Sequence, residues 1–179
     1  MSIKVGEPAP PVSVDAYVSG EDGPVPLDVG GRGDSWTVLF FYPGDFTFVC
    51  PTELCAFWEL EHEFDAEDAR VVAASTDSWH VHRAWLETSP GLTMIDYPVV
   101  ADVTHELSRV YGVLNSADGS ALRGTFIIDP DGIVRHASVS DPSVGRSPDE
   151  ALRILKALRT GELCPVSWQP GQPTLRIAA

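Results

Sequence analysis

The chain is poor in positive charge: 12 lysines and arginines stand against 26 aspartates and glutamates in 179 residues, a formal net charge of −14. No basic stripe is available to neutralise phosphates, which excludes a nucleic-acid partner and makes a membrane surface equally unsuitable. Long hydrophobic runs are missing too. Nothing approaches the roughly 18 apolar residues that a membrane span needs, and Met1 to Asp15 carries one lysine and no apolar core of signal-peptide length. A cytoplasmic protein is the expectation. Cysteine is scarce, with Cys50, Cys55 and Cys164 making an odd count, so a structural disulfide framework is a poor explanation. There is no Cys-x-x-Cys, and three thiols cannot supply an all-cysteine iron–sulfur site of four ligands. A zinc site recruiting His80 or His82 is the metal option left. Redox or nucleophilic chemistry fits the composition better.

What is present suffices for one well-buried domain and a tail, since 44% of the residues are apolar. Residues 1–35 are rich in proline and glycine and predict an N-terminal hairpin lying across the domain. Trp36 to Tyr42 is a nearly continuous apolar run with β-branched and aromatic residues, the pattern of a strand buried on both faces. Leu54, Phe57, Leu60 and Phe64 then recur at helical spacing, predicting an amphipathic helix from Pro51 to about Ala66. Strand and helix alternate again. Arg70 to Ser75 reads as a strand, Thr76-Asp77-Ser78 as cap signals for a helix through His82, Trp85 and Leu86, Tyr97 to Ala101 as a strand, and Val103 to Tyr111 as a short helix. Gly124 to Ile128 is a buried strand that turns at Asp129-Pro130-Asp131-Gly132 into Ile133 to Val139. Ser147-Pro148-Asp149-Glu150 opens a last helix, with Leu152, Leu155 and Leu158 on its buried face, ending near Gly161. This order predicts an α/β fold: a mixed sheet with helices on both faces, followed by an extended C-terminal arm.

The stretch Phe40-Phe41-Tyr42-Pro43-Gly44-Asp45-Phe46-Thr47-Phe48-Val49-Cys50-Pro51-Thr52-Glu53 leads from strand to helix and sets a lone cysteine where the helix begins. Helix starts leave N–H groups unpaired and carry partial positive charge, which favours a thiolate there and makes Cys50 a candidate nucleophile. Cys55, five residues on, is a poor disulfide partner for it. Five residues of α-helix separate Cα atoms by about 8–9 Å and point the side chains apart. Cys55 therefore reads as a buried packing residue, and His80 and His82 as exposed helix histidines.

These residues resemble the peroxiredoxins, specifically the typical two-cysteine group that includes the bacterial alkyl hydroperoxide reductase C-type proteins. The resemblance rests on the Pro-x-x-x-Thr-x-x-Cys pattern at Pro43, Thr47 and Cys50 with Pro51-Thr52-Glu53, and on Ser75-Thr76-Asp77-Ser78. It continues through Leu122-Arg123-Gly124-Thr125-Phe126-Ile127-Ile128-Asp129 and Gly161-Glu162-Leu163-Cys164-Pro165-Val166-Ser167-Trp168. It implies a thioredoxin-like peroxidase domain over residues 1–161 and an arm over 162–179. Cys50 would attack hydrogen peroxide or an organic hydroperoxide. Thr47 would exchange hydrogen bonds with peroxide and thiolate, because a hydroxyl both donates and accepts. Arg123 would stabilise negative charge on sulfur and on the separating oxygens, Pro43 would shield the thiolate, and Glu53 would hold an arginine in position. The resemblance also assigns Cys164 as the resolving cysteine. It would capture the Cys50 sulfenic acid of a second subunit in an antiparallel two-fold dimer, with rings of five such dimers common in the group. Thioredoxin, a flavoprotein disulfide reductase or a small dithiol would then restore the thiols. Turnover of this kind needs no metal, haem or flavin on this chain.

Two rivals stand beside it. A disulfide reductase or isomerase on a thioredoxin-like fold would need the missing Cys-x-x-Cys, while a ring-forming holdase would use its cysteines only to regulate assembly. The chain also departs from the pattern of oxidation-sensitive members. Ser89-Pro90-Gly91-Leu92 stands where those carry Gly-Gly-Leu-Gly, and Thr174-Leu175-Arg176-Ile177-Ala178-Ala179 replaces their Tyr-Phe helix. Without those elements, local unfolding around Cys50 is eased and resistance to over-oxidation is expected. Mass spectrometry after cycling in millimolar peroxide with reductant should find Cys50 largely free of sulfinic acid; mostly sulfinic Cys50 would reject the expectation.

Overall fold

The computed structural model describes residues 3–175. Its centre is β3 (Trp36–Phe41), the nearly continuous apolar run, which is flanked by strands on both sides. In chain order the elements before it are β1 (Val12–Tyr17) and β2 (Val25–Val29). After it come α1 (Cys50–Glu59), α2 (Glu61–Ala66), β4 (Ala69–Ser75), α3 (Trp79–Thr88), β5 (Val99–Ala101) and α4 (Glu106–Val110). The chain continues with β6 (Arg123–Ile128), β7 (Val134–Ser140) and α5 (Pro148–Arg159). One seven-stranded sheet results, in the order β2-β1-β5-β4-β3-β6-β7, with β3, β4 and β5 parallel and β6 antiparallel to β3.

Alternation along the strands explains why β3 shows no polar face. Val38 and Phe40 point to a core shared with Leu54, Phe57, Phe64, Trp85 and Leu155, whereas Leu39 and Phe41 point to a second core with Tyr111, Phe126 and Ile128. Both faces are therefore covered: α1, α2, α3 and α5 lie on one, and α4 on the other. Phe57 and Phe40 stack with ring centroids 4.1 Å apart and planes 10° apart, fixing α1 over the middle of β3.

Four expectations are corrected. The N-terminal hairpin does not cross the domain; it extends the sheet, pairing Ala16 with Val100 and Tyr17 with Val99, and so covers the edge that β5 would otherwise leave open. The helix expected from Pro51 to Ala66 is broken at Leu60 (φ −100°, ψ 3°), although no proline or glycine marks the break. The helix expected from Val103 begins later because Asp102, wholly buried, accepts the N–H groups of Leu107 and Ser108 at 3.0 and 2.7 Å, setting the first turn beyond His105. The C-terminal arm is folded rather than extended. Residues 163–175 close on themselves through a Leu163–Leu175 bridge, with Trp168 buried, while Arg176 to Ala179 lie outside the described residues.

Phe57→Ala should destabilise the fold by about 3–5 kcal/mol, the usual result of emptying a buried aromatic site, read as a lower urea midpoint with unchanged slope.

Candidate active site

Topology places one charged residue at the start of α1. β6 runs antiparallel to β3, with Thr125 opposite Phe40, so Arg123 lies two residues further, level with the end of β3 where the chain leaves for Cys50. Arg123, Thr125 and Ile127 share a face by alternation, and Ile127 belongs to the core under α1. The guanidinium thus faces the helix start. Its Nη1 donates to Cys50 Sγ at 3.4 Å. Cys50 is the first helical residue, after Val49 at the cap, and Pro51 follows within the first turn, where its missing N–H loses nothing. Cys50 is fully buried.

Arg123 does not stand alone. Its Nη1 is also paired with Glu53 Oε2, and its Nε donates to Pro142 O at 2.7 Å. Glu53 is one helical turn beyond Cys50 and buried, and both its oxygens are engaged. Arg146 donates from Nε and from its backbone N to Glu53 Oε1, each at 2.8 Å, and from Nη2 to Glu53 Oε2 at 3.0 Å. Arg146 Nη1 reaches Gly124 O at 2.7 Å, and its guanidinium carbon lies 5.2 Å from the centroid of the Phe40 ring. Two guanidinium groups share one carboxylate, leaving one net positive charge beside the sulfur. A thiolate would neutralise it.

The family resemblance implied that Glu53 holds one arginine; in the structure two arginines, Arg123 and Arg146, bond to it. Arg146 escaped the sequence reading because it lies in the loop just before the Ser147 cap, with no periodicity to mark its direction. That loop also closes the site: a Cβ on Gly145 would meet Val49 Cγ1 at 3.3 Å and Glu53 Cγ at 3.8 Å.

Thr47 and Pro43 lie on the loop between β3 and α1, Pro43 half-buried and Thr47 exposed. Thr47 Oγ1 donates to Gly44 O at 2.9 Å, so in this conformation its proton is committed to the loop and its lone pairs remain for an incoming donor. The loop is fastened from below by Asp45. Its backbone N donates to Asp77 Oδ2 at 2.9 Å, and its carboxylate accepts from Tyr42 Oη at 2.7 Å and meets His82 Nδ1 at 2.7 Å. Nε2 of His82 faces Val100 O at 3.1 Å, so that nitrogen carries a proton. Burial, and then the Asp45 charge, push the Tyr42 phenol well above its ordinary value, which keeps it a donor. Here the expectation of an exposed His82 fails: the side chain is fully buried, on the same α3 face as Trp85 and Leu86. Among the described residues no cluster of three metal-ligating side chains occurs.

The other two cysteines lie apart from this constellation. Cys55 is half-buried rather than buried, its Sγ donating to Gly91 O at 3.3 Å, and desolvation followed by the Glu59 charge push its thiol pKa up. Cys164 is half-buried at the end of α5, with Sγ donating to Ala157 O at 3.7 Å and 3.6 Å from Thr160 Oγ1. All three cysteines are free thiols. The structure therefore brings together Cys50, Arg123 and Glu53, adds Arg146, sets Pro43 and Thr47 on the adjoining loop, and leaves Cys164 on the folded arm.

Comparison with known proteins gives these positions a context. Residues 5–137 match the model of the AhpC/TSA family. The candidate peroxiredoxin YkuU of Bacillus subtilis (strain 168) is 49% identical over 175 residues, covering 96% of this chain and 97% of that protein. A thioredoxin peroxidase of Echinococcus granulosus is 45% identical over 187 residues, covering 100% of this chain and 95% of its own. Among solved structures, the reduced two-cysteine peroxiredoxin of Plasmodium vivax superposes with a TM-score of 0.89 at 35% identity, over 95% of this chain and 91% of that one.

Because Glu53 balances two buried arginines, Glu53→Ala should destabilise the protein by about 3–5 kcal/mol, the range for removing one partner of a buried ion pair. Chemical denaturation measures this as a lower midpoint.

Proposed function

This chain belongs to the AhpC/TSA family and is a peroxiredoxin, a thiol-dependent peroxidase; within that activity we propose that Cys50 is the residue that attacks peroxide. The observation that carries the assignment is Arg123 Nη1 at 3.4 Å from Cys50 Sγ, with the guanidinium held in turn by Glu53. The thiolate sulfur attacks one oxygen of hydrogen peroxide or an organic hydroperoxide. An S–O bond forms, the O–O bond breaks, and the second oxygen leaves as hydroxide or alkoxide and takes up a proton. Charge that begins on sulfur spreads to the departing oxygen, and Arg123 and Arg146 stabilise it along that path. Thr47 accepts a hydrogen bond from the peroxide hydrogen, orienting the oxygen for attack. Pro43 offers no N–H and keeps the sulfur's surroundings dry.

The product is a sulfenic acid on Cys50, and Cys164 is its resolving partner. The Cys164 sulfur displaces the sulfenic oxygen: an S–S bond forms, the S–O bond breaks, and water leaves with the thiol proton. We assign this partner to a second subunit. β7 is the terminal strand of the sheet and carries the exposed Val139, which suits two-fold pairing with another β7. Phe46 and Phe48 on the site loop and Val103 beyond β5 are also exposed apolar side chains, which favours further association of dimers into a ring. Residues 1–161 would then act as the peroxidase domain and 162–179 as the arm that serves the neighbour. A dithiol reductant closes the cycle. The relative named for thioredoxin favours a thioredoxin-type protein, with a flavoprotein disulfide reductase or small dithiol as the alternatives.

Cys50→Ser should abolish peroxide consumption, whereas Cys164→Ser should permit one stoichiometric turnover and then stop. Oxidised wild-type protein should run as a dimer on a non-reducing gel. Unchanged consumption by Cys50→Ser would sink the assignment of Cys50, and a monomer band would place the resolving partner within the chain.

A further inference from the structure

At the end of the sheet away from Cys50, the turn of residues 30–35 between β2 and β3 encloses a polar cleft of about 310 Å³ with the ends of β2, β3, β4 and β6. From Thr37, in its lining, to the last residue of β3 is about 13 Å at 3.3 Å per residue, and Cys50 lies beyond. The turn is fixed from two sides. Gly31 N donates to Ala9 O at 2.9 Å and Gly33 N to Pro130 O at 3.0 Å. Gly132, at φ 79°, lies so close that a Cβ there would stand 2.5 Å from Gly31 C and 2.9 Å from Arg32 N. Backbone pressed on backbone makes the cleft preformed, so a ligand would not have to order it.

Its charges are arranged unusually. Of the lysines and arginines among the described residues, Arg70 and Arg109 alone have no carboxylate within ion-pair distance, and Arg109 is exposed on α4. Arg70 is half-buried in the cleft lining, with Nε donating to Thr37 Oγ1 at 3.0 Å and Nη2 to Asp28 O at 3.1 Å. Two uncharged acceptors fix the guanidinium plane without offsetting its charge, and Nη1 has no protein partner among the described residues. The carboxylates differ among themselves. Asp129 is spent on Ile133 N and Arg135 Nε, and Asp28 Oδ1 accepts from the Ser13 hydroxyl, whereas Asp34 on the turn has no cation paired with it among the described residues. With Arg32 added, three carboxylates and two guanidinium groups line the cleft, in a chain of net charge −14.

We infer that this cleft is a binding site for a free basic amino acid of the lysine type, its carboxylate taken by Arg70 and a cationic group by Asp34. A phosphate or other multiply charged anion would meet three carboxylates and is disfavoured there. A diamine would leave the Arg70 charge unanswered. One carboxylate joined to two cationic groups answers both the arginine and the surplus of acids, and the volume is at the small end of ligand clefts. Bound ligand ties the β2–β3 turn to β4 and stabilises the fold by mass action. The site makes and breaks no bond, and it stands independently of the chemistry at Cys50.

The test uses the reduced full-length protein and saturation-transfer-difference NMR with three probes. These are L-lysine, cadaverine, which is lysine without the carboxylate, and L-norleucine, which is lysine without the ε-ammonium. Wild type should bind L-lysine saturably and each of the other two at least about tenfold more weakly, the range for losing one charge-assisted contact. Arg70→Met should weaken L-lysine about ten- to a hundredfold and leave cadaverine unchanged, so that the preference between those two probes collapses. Asp34→Asn, at an exposed position, should weaken L-lysine roughly three- to tenfold. L-lysine should raise the thermal midpoint of wild type and not that of Arg70→Met, while both variants consume peroxide at the wild-type rate. Three results would each overturn the site: no saturable L-lysine signal into the tens of millimolar, equal affinity of wild type for cadaverine, or an unchanged L-lysine affinity in Arg70→Met. If Arg70→Met does not fold, the probe comparison on wild type and the Asp34→Asn titration decide the matter, with equal L-lysine affinity in Asp34→Asn counting against the site.

Discussion

Everything at the head of α1 depends on one carboxylate with two cations to serve. Glu53 is buried, and so are the two arginines whose charge it offsets. Neither guanidinium could be held there alone without a large desolvation cost, and a second carboxylate would cancel the positive charge left beside the sulfur. One acid and two bases leave a single positive charge at a fixed place. The Glu53 backbone lies on the same helix as Cys50, one turn further on, so the distance between sulfur and carboxylate is set by helix geometry and not by loop chance. Unwinding that turn would dissolve the arrangement at once. The site is therefore a property of the folded helix start.

The remaining anchors follow from this need for a fixed geometry. Tyr97 donates its phenol to Leu54 O at 2.8 Å, tying α1 to the segment ahead of β5. On the other side, Asp45 joins the site loop to β4 through Asp77 and to α3 through His82. The loop carrying Pro43 and Thr47 is thus bound at its root, while its tip, with Phe46 at φ 55° and Phe48 94% exposed, projects into solvent. The loop therefore combines a rigid root with an open tip.

Much of this was legible in the chain itself. The double-faced apolar run of β3 announced a central strand, and the Cys50-Pro51 sequence announced a helix start. Arg123 could be placed beside them once the family pattern was seen. What escaped shares a physical character. Arg146 acts across 93 residues of sequence from a loop without period, and its partner Glu53 shows nothing in the sequence to say that it serves two cations. The burial of His82 did leave a signal, since His82, Trp85 and Leu86 follow i, i+3, i+4 spacing, but a histidine's chemistry argued for solvent and the periodicity was the better guide. The break at Leu60 and the self-closure of the arm arise from tertiary packing that local propensity does not encode.

The closed arm has a consequence for how such a chain can vary. Because residues 163–175 close through the Leu163–Leu175 bridge and carry hydrogen bonds of their own, the segment is a cassette, with its boundaries at that bridge. Cassettes can be exchanged between homologous backbones or lengthened at their far end without disturbing the core. The segment that carries Cys164 and the helix start that carries Cys50 are thus separate parts of the fold, and each is free to drift without the other.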